Sequence, residues 1–281
     1  MTRSAAVVTG AGRGLGREIA LLLGARGHLV AVTDVDATSA EATAGAVAEA
    51  GGTAYACVLD VRDEDACRSV AEQAAARAGH LAVWVNNAGV ITTGAAWEQD
   101  HATRRLMVEV NALGTMHGTL AALEQMRPAG RGHVVNIVSL AGMIGVPGET
   151  VYSASKHAAL GFSLATLSDL RLAGLRGIDI SCVCPDGIWT PMLHDKLEDP
   201  AAALSFSGRL LQAADVARAV DRVLDRPRPV TAVPAWRGLQ VRLLDALPAL
   251  AVRLGPAIQR TALWQQRRYA RRLGRSGPNA A

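Results

Sequence analysis

Tyr152 and Lys156 enclose a short Tyr-Ser-Ala-Ser-Lys segment. On a helix, positions i and i+4 share a face. An ammonium beside a phenol favours phenolate and lowers its pKa, and a tyrosine so tuned exchanges a proton with an alcohol or carbonyl oxygen. This spacing often arises by chance. Here, however, Lys156 is one of just two lysines, the other being Lys196. Ser139 ends an apolar, β-branched run thirteen residues before the tyrosine. Its hydroxyl therefore falls at the C-terminal edge of a strand, where open α/β sheets bind ligands.

A second constellation lies near the start. Thr9-Gly-Ala-Gly-Arg-Gly-Leu-Gly-Arg17 follows an apolar run and precedes an amphipathic one. Glycines at 10, 14 and 16 permit a tight turn, close backbone approach to a pyrophosphate, and tight helix–strand packing. The helix opening there offers free N–H groups and a positive dipole end. Eighteen residues beyond Gly16, Asp34 ends the next strand. A carboxylate there accepts both ribose hydroxyls of an adenosine and repels a 2′-phosphate. This favours NAD over NADP. Arg13 pulls the other way, since a basic residue in the turn could meet a 2′-phosphate. The alternative reading of Asp34 is an acid at a helix N-terminus.

The elements that must position these groups alternate. Residues 5–9, 29–33, 54–59, 82–85, 133–138, 178–183 and 230–233 read as buried strands. Residues 15–25, 38–50, 63–78, 103–126, 152–173 and 214–225 read as helices between them. The pattern predicts an α/β fold: a doubly wound Rossmann arrangement around a seven-stranded parallel sheet. One domain covers residues 1–235, and a basic amphipathic extension covers 236–281. Residues 186–211 form a long connection of weak periodicity.

Composition narrows the function classes. Of 281 residues, 50% are hydrophobic and 19% charged, which excludes a disordered chain. The 28 glycines follow no three-residue period, excluding collagen, and 4% aromatics argue against a base-stacking platform. From Arg237 onward there are nine arginines and one acid, Asp245, a net +8 against −4 for the first 236 residues. The overall +4 thus describes a tail and gives no reason to expect nucleic acid. Cys57, Cys67, Cys182 and Cys184 form no C-x-x-C pair and read as reduced thiols, with Cys182 and Cys184 on one strand face. No signal peptide and no 18-residue apolar run appear. A cytoplasmic protein is expected, with peripheral membrane contact through the extension left open. No metal site is expected.

Taken in order, Thr9-Gly-x-x-x-Gly-x-Gly16, Asp60-Val61, Asn86-Asn-Ala-Gly89, Asn111, Ser139 and Tyr152-x-x-x-Lys156 resemble the short-chain dehydrogenase/reductase family over roughly residues 3–235. The resemblance implies that Tyr152 is the acid/base and that Ser139 hydrogen-bonds the substrate oxygen. Lys156 would bind the nicotinamide ribose and lower the tyrosine pKa. Asn111 would hold a water that passes the proton outward. Gly10, Arg13, Gly14, Leu15 and Gly16 would take the cofactor phosphates, Asp60 and Val61 the adenine, and Asn87, Ala88 and Gly89 would run along the cofactor. Pro185, Ile188 and Thr190 fall where the family meets the carboxamide. Asp186, in Pro185-Asp186-Gly187, departs from the family's Pro-Gly and sets a carboxylate by the nicotinamide, to alter the loop or select a polar substrate group.

The expected activity is hydride transfer between NAD and a secondary alcohol or ketone, in a homo-oligomer (dimer or tetramer). An NADPH-dependent ketoreductase is the alternative, and a non-catalytic nucleotide sensor or scaffold is the competing class. The resemblance places Val90, Trp97, Met143, Ile144, Val146, Trp189, Met192, Leu193 and Phe206 around the substrate, which suits a lipophilic compound. In the tail, Leu, Val and Ala interleave with Arg. Arg242, Arg253 and Arg260 would share a helical face, but Pro248 and Pro256 break the register. Such a segment must bury its apolar side on the pocket mouth, a neighbouring subunit or a membrane.

Overall fold

Runs of Val, Ile and Ala too short for helices and apolar throughout form strands buried on both faces. A computed structural model describes residues 4–273; residues 1–3 and 274–281, including the end of the extension, lie outside it. The strands are β1 (Ala5–Thr9), β2 (Leu29–Asp34), β3 (Thr53–Val58), β4 (Leu81–Asn86), β5 (Gly132–Ile137), β6 (Ile178–Pro185) and β7 (Val230–Val233). They pair in parallel in the order β3-β2-β1-β4-β5-β6-β7. The chain winds outward from β1 to β3, then returns to start β4 on the other side of β1. This is the expected doubly wound sheet, with its switch point between β1 and β4.

The sheet needs cover on both faces. One face carries α1 (Gly14–Ala25), α2 (Ala37–Glu49) and α8 (Ala213–Asp225), whose Ile19, Leu23, Val47, Val216 and Val220 are buried. The other carries α3 (Glu64–Ala78), α4 (His101–Val108), α5 (Gly114–Ala129) and α6 (Thr150–Leu172), with Cys67, Val70, Met126 and Leu170 buried. The 103–126 span reads as one helix in sequence. In the structure, a single π-turn, Glu109–Leu113, separates α4 from α5. Apolar periodicity does not register a local widening of this kind, which is common at functional sites. It holds Asn111 fully buried.

The weakly periodic 186–211 connection contains α7 (Pro191–His194) and a 3-10 segment, Pro200–Phe206. The extension folds into α9 (Ala235–Asp245) and α10 (Pro248–Leu273). Pro248 opens α10, where a missing N–H costs nothing. Pro256 lies inside α10 without ending it, so the expected break in register is not found there. Val241 of α9 is buried with Val138, Leu140, Cys182 and Cys184, which places both cysteines on one face as expected. Ala262 and Gln266 of α10 are buried, and the Gln266 amide donates to the Lys196 and Asp199 carbonyls at 3.0 and 2.8 Å. These two helices form an arm laid across the C-terminal edge of the sheet.

Arg237 ties the arm to the sheet. Its Nε donates to Asp186 Oδ2 at 2.8 Å and another of its nitrogens to Ser207 Oγ at 2.8 Å. The Arg237 and Asp186 side chains are 15% and 9% exposed. Breaking a buried pair from one side strands the remaining charge and costs several kcal/mol, whereas neutralising both costs far less. Arg237→Met should therefore lower unfolding free energy by about 2–4 kcal/mol. The Asp186→Asn/Arg237→Met double variant should regain most of it, as read by urea unfolding of all four proteins. Simple additivity of the two substitutions would mean that the pair is not coupled.

Candidate active site

The switch point opens into a cavity of about 1130 Å³ that runs along the C-terminal edge of the sheet. At one end lies the glycine-rich turn. Gly10 and Gly14 have positive φ, 61° and 56°. A Cβ on Gly10 would lie 2.8 Å from the Ala88 Cα, so only glycine lets the ends of β1 and β4 approach so closely. Asn87 fastens the two: its side chain donates to the Thr9 and Gly10 carbonyls, each at 2.9 Å. Thr9 Oγ1 accepts from the Asn87 and Ala88 amides.

Helices α2, α3 and α4 each begin under an aspartate that accepts from the first turn. Helix α1 begins at Arg13 with no side-chain cap and no acid in its first turn. Its free N–H groups and positive end, among Gly10, Arg13, Gly14, Leu15 and Gly16, face the cavity. That arrangement fits a pyrophosphate. Asp34 lies beside it, with Oδ2 accepting from Gly12 N at 2.9 Å. This places a carboxylate where an adenosine ribose would follow the phosphates. Asp60 and Val61 line the same end; Asp60 pairs with Arg62 at 2.5 Å, and this pairing pulls its carboxyl below the usual range.

Ser139, Tyr152 and Lys156 line the middle of the cavity. Helix α6 presents the tyrosine and lysine together, and Ser139 follows the end of β5. Lys156 is 4% exposed, and its Nζ donates to the Ile137 carbonyl at 2.9 Å, its one hydrogen bond among the described residues. An ammonium has three donors. A buried cation with donors to spare fits a hydroxyl-rich ligand such as a ribose. Burial weakens this ammonium to about 8. Its Nζ is 5.8 Å from the Tyr152 ring centroid.

The expected lowering of the tyrosine pKa is absent from the free protein. Burial pushes the phenol above its ordinary 10, Glu149 pushes it further, and a hydrogen bond with Ser139 draws it partly back. Desolvation outweighs a lysine that donates elsewhere. Tyr152 therefore holds its proton firmly.

Asn111 does not line the cavity. Its Oδ1 accepts from Val90 N and its Nδ2 donates to Val90 O, both at 2.8 Å, and to Ser155 Oγ at 3.1 Å. Both amide hydrogens are thus committed to fixing the segment after β4 against α6. Pro185, Ile188 and Thr190 border the cavity, and Thr190 Cγ2 would lie 3.6 Å from a Cβ on Gly14.

The substrate wall departs from expectation. Val90, Ile144, Val146, Met192 and Leu193 line the cavity. Trp97, Met143, Trp189 and Phe206 do not. Trp97 is 86% exposed, Phe206 is fully buried, and both Phe206 and Trp189 pack with Leu193 beside the cavity wall. Aromatic residue type does not reveal which way a loop side chain faces. The arm supplies the roof instead, through Val241, Leu244, Ala251, Val252 and Ile258. Asp186 lines the cavity too, but its carboxylate is held by Arg237 rather than left free for a substrate.

Glu149 escaped the sequence reading; its place three residues before Tyr152 was the available signal. It is 2% exposed, lines the cavity, and accepts from Ser205 Oγ at 2.5 Å. Burial pushes its carboxyl up to about 7, with Asp186 and Asp199 adding to the rise and Ser205 opposing it.

Residues 4–201 match the short chain dehydrogenase family. The chain is 34% identical over 190 residues to "Putative oxidoreductase SadH" of Mycobacterium tuberculosis, covering 68% of each chain. It is 31% identical to cyclopentanol dehydrogenase of Comamonas testosteroni over 76% of this chain and 86% of that one. With human 17-beta-hydroxysteroid dehydrogenase 13 it shares 29% identity over 87% and 79%. A crystal structure of a short chain dehydrogenase/reductase from Burkholderia phymatum in complex with NAD superimposes with a TM-score of 0.80 at 27% identity, covering 89% of this chain and 95% of that one.

The environment of Glu149 carries a pH signature. Its folded pKa stands above its ordinary 4.5, so the folded state holds the proton more tightly. That contribution is fully present below about 4.5 and is lost as pH rises through about 7. Glu149→Gln removes it. Between about pH 5 and pH 8, wild type should lose on the order of 2–3 kcal/mol of stability relative to the variant. Paired urea titrations at the two pH values measure this. Equal pH dependence in the two proteins would place the Glu149 carboxyl in water.

Proposed function

We propose that this chain, which belongs to the short-chain dehydrogenase family, transfers hydride between NAD and a lipophilic secondary alcohol or ketone. The observation that carries this reading is the convergence of Tyr152, Ser139 and Lys156 on the same cavity as the uncapped start of α1. A nicotinamide dinucleotide bound there would supply the hydride-accepting carbon and the positive charge of its oxidised ring. Arg13, the glycine turn and Leu15 would hold its phosphates, and Lys156 its second ribose. Asn87, Ala88, Gly89, Pro185, Ile188 and Thr190 would border the remainder.

The chain's own residues handle the proton. Tyr152 would take it from the alcohol oxygen during oxidation and return it to the ketone oxygen during reduction. The Ser139 hydroxyl would hydrogen-bond the same oxygen and fix its position. The high phenol pKa of the free protein suits the donor role; positive charge brought by the oxidised ring would favour the acceptor role. Asn111 would act through position, holding Val90 and α6 in register. Any water on an outward proton path would need partners other than its committed amide.

Substrate class follows from the wall. Ile144, Val146, Met192, Leu193, Leu244 and Ile258 present apolar surface, with Glu149–Ser205 and Arg237–Ser207 as the polar features. Several relatives are named for ring alcohols: cyclopentanol, a hydroxysteroid and cis-4-hydroxycyclohexanecarboxylate. A cyclic secondary alcohol or ketone fits such a cavity. Asp34 favours NAD. The exposed Arg13 beside the turn favours the second reading, an NADPH-dependent ketoreductase.

A panel of cyclic alcohols and ketones assayed with both cofactors tests the reading. Wild type should show kcat/KM for NAD at least ~10-fold above NADP, the size expected when one carboxylate opposes a phosphate. Asp34→Ala should close most of that gap by weakening NAD and improving NADP. A wild type that prefers NADP would move the assignment to Arg13. Cofactor binding without turnover of any panel member would favour a nucleotide sensor.

A further inference from the structure

Among the described residues, nothing covers the outer surface of the arm. Trp236, Leu239 and Leu243 recur at steps of three and four along α9, Leu250 and Leu254 at a step of four on α10, and Leu247 lies between the two helices. Each is between 40% and 63% exposed. Monomeric proteins rarely leave so many large apolar side chains together in water. The arm cannot turn them inward. Its other side is already committed through Val241, Ala262, Gln266 and the Arg237–Asp186 pair.

The charge on the arm is overwhelmingly positive, with Asp245 its one described acid. Arg242, Arg253, Arg260, Arg267 and Arg268 are exposed, and among the described residues none pairs with a carboxylate. No acid follows Asp245 in the sequence. The exposed Trp264 lies under Arg268, whose guanidinium carbon is 5.6 Å from the ring centroid. Exposed leucines, interfacial tryptophans and unpaired arginines together form the surface of a helix that lies in a lipid headgroup layer. No described helix is long and apolar enough to cross a membrane. A second copy of the chain is a poorer occupant. A two-fold contact through this face would set five exposed arginines against five, with Asp245 the arm's one described acid to answer them.

We infer that the outer face of the α9–α10 arm docks this protein on an anionic lipid surface. The leucines and Trp236 enter the acyl boundary, and the arginines meet lipid phosphates. The opposite side of the same arm roofs the cavity. A lipophilic molecule leaving the bilayer would therefore meet the cavity wall directly, a consequence that rests on the substrate reading above. The docking itself does not.

Flotation of the full chain with phosphatidylcholine vesicles, with and without about 30% phosphatidylglycerol, tests it without any turnover. Binding is expected to the anionic vesicles at ~0.1 M salt and to fall at least ~5-fold in neutral vesicles or at ~0.5 M salt. Leu243→Glu/Leu247→Glu/Leu250→Glu should abolish it, and Arg253→Gln/Arg260→Gln/Arg267→Gln should remove its salt-sensitive part. All six positions lie outside the cavity wall, so both variants should melt within about 3 °C of wild type. Failure to bind anionic vesicles at low salt would overturn the inference. So would binding that survives the leucine substitutions, or an oligomer that those substitutions dissociate while vesicle binding is absent.

Discussion

A lysine ammonium held out of water sets the terms for what surrounds it. Lys156 is almost fully buried and donates to the Ile137 carbonyl. Stripping an ammonium of water costs several kcal/mol, and one hydrogen bond returns only part of it. The imbalance appears as a pKa lowered to about 8. The sheet makes it tolerable. Parallel strands end together at one edge, so the carbonyl at the end of β5, the hydroxyl of Ser139 and the donors of α6 meet where polar ligands can complete the set. Tyr152 shares the same dry environment. Burial raises its phenol above the ordinary 10, so in the proposed reaction positive charge from the oxidised cofactor would be what favours loss of its proton.

The edge of the sheet would be open without the arm. Helices α9 and α10 supply much of the cavity roof, and Arg237 fixes them through Asp186 to the loop after β6. One arginine thus pairs with a carboxylate in the cavity wall and anchors the arm over that cavity. Glu149 is the counterweight. It is a second buried acid near Tyr152, with a serine for a partner instead of a cation, and burial pushes its carboxyl up to about 7.

Much of this was legible in the residues because it is periodic or local. The apolar runs 5–9 and 230–233 coincide with β1 and β7, since β-branched runs bounded by glycine or proline have one reading. The glycine turn was legible because Gly10 occupies a conformation and a gap that no side chain tolerates. Other features depend on long-range packing. The π-turn at Asn111 leaves the apolar pattern of 103–126 intact. The facing of Trp97 and Phe206 is decided by which loop covers which, and α10 continues past Pro256 because its inner face is held by the 3-10 segment. The Asp186–Arg237 pair joins residues 51 apart in sequence, a contact that no local pattern announces.

The account turns on one proton, that of Tyr152. Phenylalanine there keeps the ring and its packing while removing the hydroxyl. Steady-state turnover of Tyr152→Phe with its best cyclic alcohol, set beside NAD binding by the same protein, is the direct measurement. The account predicts turnover reduced on the order of 10²–10⁴-fold, with NAD affinity within a few-fold of wild type. Turnover equal to wild type would contradict it and remove Tyr152 from the chemistry.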